Sequence, residues 1–216
     1  MDLEAISGRA AAHRLGIFGG FAAEPDDGLP PGTRTVLLLG PEEPGFWTHV
    51  SAQPEYHDGA PDPMDRWSRR VISVLAADVG AEPLFPFGGP PFLPFYSWAL
   101  RSGRAFASPV QLLVHDRAGL FLSYRGALAL KAELALPPPQ PPPCTGCAAP
   151  CLSACPAGAL GVGGYDLAAC HAWLDTSPGA GCLAAGCAVR RACPLSQSYG
   201  RLPAQSAFHM KQFHHA

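Results

Sequence analysis

All eight cysteines of the chain fall between Cys144 and Cys193, and the residues before Cys144 contain none. About one residue in six of that stretch is therefore a thiol, the density of a disulfide-held mini-domain or of a metal-binding segment. The amino terminus, Met1-Asp2-Leu3-Glu4, is acidic, and no basic stretch followed by an apolar run and a cleavage site comes after it. No run of apolar residues is long enough to cross a bilayer. The expectation is a cytoplasmic protein without a membrane partner. In that compartment thiols stay reduced, and clustered cysteine is more often a metal site than a set of disulfides.

Spacing narrows the chemistry. The run Cys144-Thr145-Gly146-Cys147-Ala148-Ala149-Pro150-Cys151-Leu152-Ser153-Ala154-Cys155-Pro156 has gaps of two, three and three residues and closes on Cys-Pro. The bacterial ferredoxin run is C-x2-C-x2-C-x3-C-P, and its fourth cysteine serves the other cluster. A turn-rich loop of this kind lets three thiolates converge on one face of an iron–sulfur cube, while backbone N–H groups reach the sulfurs and tune the potential. A second group, Cys170, Cys182, Cys187 and Cys193, again ends on a proline, Pro194. Two Cys-Pro endings point to two 4Fe–4S clusters with exchanged fourth ligands. Cys144, Cys147, Cys151 and Cys193 would hold one, and Cys155, Cys170, Cys182 and Cys187 the other. A single cluster remains open, because the spacings are longer than in ferredoxin. So does a pair of all-cysteine zinc sites, although the paired C-x2–4-C knuckles usual for zinc occur only at Cys144/Cys147 and Cys182/Cys187.

Proline marks the border of this module. Pro137-Pro138-Pro139-Gln140-Pro141-Pro142-Pro143 is extended, since proline fixes φ and keeps the preceding residue out of helix. The division expected is an α+β domain over residues 1–136, a polyproline spacer over 137–143, the Cys-rich module over 144–194 and a tail over 195–216. In the first domain, Asp2–Arg14 carries helix formers and Leu15–Phe21 reads as a short strand. Thr35-Val36-Leu37-Leu38-Leu39 is a continuous apolar run suited to a strand buried on both faces. Asp62-Pro63 is an N-cap followed by proline at the first helical position. Met64, Trp67, Val71 and Val74/Leu75 then recur at helical spacing, with Asp65, Arg66, Arg69 and Arg70 on a solvated face. Val110–Val114 and Leu120–Tyr124 flank a Gly-containing turn and read as a hairpin. Leu128–Leu136 adds a strand.

Other features carry weaker signals. The loop Leu84–Tyr96 holds five aromatics and four prolines; it is either core filler or the wall of a flat-ligand pocket, and a helix follows at Tyr96–Ser102. His171 adjoins Cys170, but a chain neighbour of a ligand usually points elsewhere. His209, His214 and His215 lie on a segment read as a solvated tail. Gly161-Val162-Gly163-Gly164 lacks the strand-then-helix setting of a dinucleotide site and is a loop. Arg190-Arg191 puts positive charge beside the module, either to offset a cluster or to meet an acidic electron donor. With 15 basic and 17 acidic residues, a net charge of −2 and pI near 6.4, there is no footprint for nucleic acid. No nucleophile elbow, phosphate loop or zinc-protease motif occurs, and no residue is assigned a catalytic role.

Residues 144–194 resemble the dicluster region of epoxyqueuosine reductase. They match it in order at Cys144, Cys147, Cys151, Cys155-Pro156, the lone Cys170, then Cys182, Cys187 and Cys193-Pro194. That family divides its ligands in the exchanged way given above. Upstream, Pro31–Gly40 and Val110–Tyr124 fall where that enzyme has corresponding strands. Residues 33–136 also resemble the cobalamin-processing MMACHC (cblC-type) proteins, at Arg34–Leu39, Asp62-Pro63-Met64-Asp65 and Val110–Arg125. A set of short bacterial ferredoxin-like proteins of this length is similar too. These resemblances imply a nitroreductase-like, MMACHC-like domain able to bind a corrinoid, followed by a ferredoxin-like dicluster module.

The departures are specific. Cys182-x4-Cys187-x5-Cys193 is longer than the reductase's C-x2-C-x3-C-P, the reductase's carboxyl-terminal repeats have no counterpart, and Glu82–Phe87 offers no aspartate where its proton donor would fall. Epoxyqueuosine reduction is therefore not expected. The function implied is electron transfer from a redox donor such as a flavodoxin or reductase, through the clusters, to a cobalamin or other cofactor. Its enzymatic form would be an iron–sulfur reductase. The rival is a cofactor-binding chaperone whose cysteines hold structural zinc.

Overall fold

The run Thr35–Pro41 is buried along its whole length because it lies between two other strands. In the computed structural model, which describes residues 2–215, this strand is β2. It pairs antiparallel with β1 (Leu15–Ala22) on one side and with β6 (Gly126–Leu130) on the other, and β3 (Ala81–Leu84) closes the sheet in the order β1-β2-β6-β3. Leu37, Leu38 and Leu39 are fully buried, as a leucine run between two neighbours requires. Pro83 is tolerated because β3 is an edge strand, where a missing N–H costs no ladder bond. At the other edge a bulge between Ile17 and Gly20 bends β1, with Gly19 at φ +127.

Helices cover this sheet. In α1 (Leu3–Ala11) the Asp2 carboxylate accepts from the Ala5 N–H at 2.9 Å, while Ile6 and Ala10 point inward. α2 (Phe46–Ser51) and α4 (Phe95–Arg101) add Phe46, Val50, Phe95 and Trp98 to the core. α3 (Pro63–Val79) buries Met64, Trp67, Val71, Ile72 and Leu75 and leaves Val74 exposed, so Leu75 is the inward member of that pair. α3 packs on β3 and β6, closely enough that a Cβ on Gly126 would stand 2.8 Å from Ile72 Cδ1.

One expectation here is corrected. Asp62 occupies the cap position, but at φ 53 its side chain makes no capping bond. The charged face of α3 leaves Arg69 and Arg70 exposed, and its charges are also partnered. Arg66 grips Asp58 at 2.7 Å, Arg70 grips Glu55 at 2.6 Å, Arg125 reaches Asp65 at 3.2 Å, and Arg69 lies over the Phe85 and Phe87 rings.

The chain divides into two units: Met1–Ala105 with Ser123–Gln140, and Phe106–Leu122 with Pro141–Ala216. One crossing thus falls inside the proline run, while residues 106–122 group with the cysteine-bearing segment. The second unit contains a ribbon of β4 (Ala105–Ala107) and β5 (Leu113–His115), a small hairpin of β7 (Leu160–Gly161) and β8 (Gly164–Tyr165), and five helices among the described residues. These are α5 (Leu167–Leu174), α6 (Ala180–Ala185), α7 (Ala188–Ala192), α8 (Pro194–Ser198) and α9 (Pro203–His215).

Three more expectations change. Leu120–Tyr124 is not a strand: only one bridge, His115 to Gly119, survives of the hairpin. The backbone groups of that segment are taken by side chains instead. Ser196 Oγ accepts from the Leu120 N–H at 2.9 Å, Arg190 donates to the Leu120 carbonyl at 2.6 Å, and Arg201 donates to the Phe121 carbonyl at 3.3 Å. The strand expected over Leu128–Leu136 stops at Leu130, beyond which the Thr35 hydroxyl bonds the Ala132 carbonyl and the Leu134 N–H. Residues 195–216 are not a solvated tail over their described length. α9 packs on α6, burying Gln205 and Ser206. The Ala- and Gly-rich α6 permits that approach, and Gly186, at φ +92, leaves the space where a Cβ would meet Ser206 Cβ at 2.7 Å.

Candidate metal centre

The first cysteine run is shaped by turns. The Cys147 N–H bonds the Cys144 carbonyl at 3.2 Å, with Gly146 at φ +74. Ala149, at φ 51, starts a single 3-10 turn, Pro150–Ser153, which carries Cys151 inward. Sulfur acceptors are met by backbone donors. The Ala149 N–H points to Cys147 Sγ at 3.4 Å, and the N–H groups of Cys151 and Leu152 act on the Cys151 thiol. Cys193 stands at the junction of α7 and α8, where Pro194 opens the next helix. Cys151 and Cys193 share an apolar cluster with Val110, Val114, Leu120, Leu160 and Val189.

All eight cysteines are free thiols, and they fall into two electrostatic neighbourhoods. Burial pushes the Cys144 thiol up, and the further charges acting on it are those of Cys147, Cys151 and Cys193. Cys151 is likewise raised by burial, against its backbone donors, and by Cys193 and Cys147. Cys170 is raised by burial and then by Cys187, Cys155 and Cys182, while a hydrogen bond from Tyr165 works the other way. Cys193 is thus among the charges near the first run and Cys155 among those near Cys170, while Cys155 and Cys187 also pack against the cluster that buries Cys151 and Cys193. At Cys144, Cys151 and Cys170, burial and the neighbouring thiols favour the neutral form, and a bound cation is what would reverse that balance.

The second quartet is drawn from separate elements. Cys170 comes from α5, Cys182 from α6, Cys187 from the start of α7, and Cys155 from the loop before Pro156. The Tyr165 hydroxyl, on β8, donates to Cys170 Sγ at 3.4 Å. Arg190, half-buried on α7, faces Cys187 and Tyr165 and bonds the Leu120 carbonyl; no carboxylate among the described residues pairs with it. Its neighbour Arg191 turns away to the Gly186 carbonyl at 3.0 Å.

The donor set suits iron–sulfur chemistry: thiols in fours, N–H and O–H donors aimed at sulfur, and one cation nearby. Among the described residues, no three Cys, His, Asp or Glu side chains close on a single-ion position.

The remaining candidates lie apart from the thiols. His171 Nδ1 meets His214 Nδ1 at 2.9 Å, its ring stacks on Phe213, and His214 Nε2 meets Asp175 at 3.0 Å. The side chain of His215 lies outside the described residues. The Gly161–Gly164 loop is the turn of the β7–β8 hairpin. The proline-aromatic loop leaves Phe92 exposed and Phe95 buried. A cavity of about 450 Å³ in the first unit is lined instead by residues such as Leu3, Ile17, Gly19, Ser102 and Arg104. Tyr165 went unnoticed in the sequence; its one signal is a position five residues before Cys170 at the end of a Gly-rich turn. No helix among the described residues is long and apolar enough to cross a membrane. No protein-family model, curated protein or solved structure matches the chain.

Proposed function

We propose that this chain is an electron-transfer protein whose second unit holds two 4Fe–4S clusters and whose first unit holds the cofactor or substrate that receives the electrons. The observation that carries this reading is eight free thiols in one short segment, with Cys193 among the charges neighbouring Cys144 and Cys151, and Cys155 among those neighbouring Cys170. A cluster supplies one-electron chemistry when bound. The protein's own part is to present four thiolates, aim N–H groups at Cys147 and Cys151 and a hydroxyl at Cys170, and keep an apolar wall behind Cys151 and Cys193.

The resemblances to epoxyqueuosine reductase and to the cobalamin-processing proteins support a nitroreductase-like first unit, a ferredoxin-like second unit and a corrinoid as acceptor. The redox partner on the other side would be a flavodoxin or a reductase. Anaerobic purification followed by iron, acid-labile sulfide and zinc analysis tests the cluster reading. Iron and sulfide in equal amounts support it, whereas a colourless protein with stoichiometric zinc and no sulfide overturns it. Hydroxocobalamin tests the acceptor: a visible-spectrum shift with retention on filtration supports the corrinoid, and neither effect removes it.

A further inference from the structure

We infer that α9 is a strap across the helices that carry Cys170 and Cys182, anchored at its first turn and latched at its last, and that release of the latch controls access to Cys170. This goes beyond the cluster reading above and does not depend on it, since it concerns how the thiol is reached and not what it binds.

The strap begins beside one cysteine and ends beside another. α9 spans 13 residues, about 20 Å. Its first turn lies against Gly186, the residue before Cys187, where a Cβ would stand 2.7 Å from Ser206 Cβ. Its body packs on α6, which carries Cys182. Its last turn reaches α5, which carries Cys170. There the Phe213 ring stacks on His171 with centres 4.7 Å apart and on Tyr165 with centres 6.2 Å apart. Phe213 therefore lies against the residue that follows Cys170 and against the phenol whose hydroxyl donates to Cys170 Sγ at 3.4 Å.

The two ends are held unequally. At the anchor Gln205 and Ser206 are buried, and Arg201 Nε donates to Ser206 Oγ at 3.0 Å. A shift there would open a void in a close-packed contact. At the latch Phe213 is only partly buried. His171 Nδ1 meets His214 Nδ1 at 2.9 Å, and with ring centres 5.2 Å apart and planes within 17° of parallel the two nitrogens lie on facing edges. His214 Nε2 meets Asp175 at 3.0 Å, and that side chain is 71% exposed, so water competes for its carboxylate. His171 and Asp175 are four residues apart on or at the end of α5, so one turn of that helix takes the whole latch. Two ring contacts and two hydrogen bonds can be lost without disturbing the anchor, which makes the last turn of α9 a local opening unit. When it lifts, Tyr165 loses the ring it lies against, and Cys170 loses its fixed donor.

Amide exchange and thiol alkylation on the full chain, both read peptide by peptide by mass spectrometry, test this. Phe213→Ala is expected to speed exchange about fivefold over the last turn of α9 and over α5, with the turn at Gln205 and Ser206 unchanged. Iodoacetamide should modify Cys170 about fivefold faster than in wild type, and Cys144 at the wild-type rate. Asp175→Asn gives the same pattern at about twofold and, being on an exposed side chain, keeps the test available if Phe213→Ala does not fold. Where the thiols hold metal and resist iodoacetamide, exchange over α5 decides alone. Equal acceleration in every peptide, or none near Cys170 in either variant, overturns the inference. Iron and sulfide content is untouched by these results, so the cluster reading stands or falls separately.

Discussion

Cys193 and Cys144 stand at opposite ends of the cysteine-bearing segment, and Cys144 packs against the apolar cluster that buries Cys193. That proximity makes the sharing of ligands testable.

Substitutions within one quartet should be redundant and those across quartets additive. Cys144→Ser and Cys193→Ser are each expected to lose about half of the iron, and the double variant no more than either alone. Cys193→Ser combined with Cys187→Ser is expected to lose nearly all of it. Iron and sulfide analysis after anaerobic reconstitution reads this directly, and additive loss for the first pair would break the grouping.

Loading should release protons. Burial and neighbouring thiols hold Cys144, Cys151 and Cys170 above the ordinary cysteine value, so at pH 7 they are neutral in the unloaded protein and must ionise to bind metal. Addition of ferrous iron alone, without sulfide, in a weakly buffered indicator assay is expected to release protons from these three thiols. Reconstitution should accordingly be favoured as pH rises from 6 to 8. Release of none would mean that the thiols are already ionised.

Glu55 gives the first unit an acid-sensitive tie. Its hydrogen bond from Arg70, at 2.6 Å, holds the carboxyl below the usual carboxylate range, against the opposing effect of burial. A depressed folded value contributes stability above the unfolded value and loses it as pH falls through the folded one. Glu55→Gln should therefore unfold at lower urea than wild type at pH 7, with the gap closing in acid below pH 4. A gap independent of pH would assign the loss to packing instead.

The strand at the centre of the first unit should not tolerate a cavity. Leu38 is fully buried in β2, so Leu38→Ala is expected to cost about 2–5 kcal/mol. Val74→Ala, on the exposed side of α3, should cost under about 0.5 kcal/mol. Urea midpoints compare the two.

The Ser196 hydroxyl serves a backbone group far from it in sequence. It accepts from the Leu120 N–H at 2.9 Å in a buried setting. Ser196→Ala leaves that donor unpaired, at a cost of about 1–3 kcal/mol, and faster amide exchange at Leu120 locates the loss.

Much of this molecule is local in origin and so legible. The apolar run from Thr35 to Leu39 is a central strand, and its three consecutive leucines are buried on both faces between β1 and β6. The helix from Pro63 follows its apolar period, and the cysteine run folds as turns because Gly146 and Pro150 sit where turns need them.

What the chain alone could not show depends on partners distant in sequence. Leu120–Tyr124 has the composition of a strand, yet Arg190, Ser196 and Arg201, from 70 to 80 positions away, take its backbone groups. The carboxyl-terminal residues look polar enough for solvent, and only the small side chains of α6 reveal why Gln205 is buried. Cysteine spacing determined that eight thiols crowd one short segment with two Cys-Pro endings. Tertiary structure decided that Cys151 and Cys193 are buried in one apolar cluster and that Cys170 receives the Tyr165 hydroxyl, because burial and hydrogen bonding are set by neighbours in space.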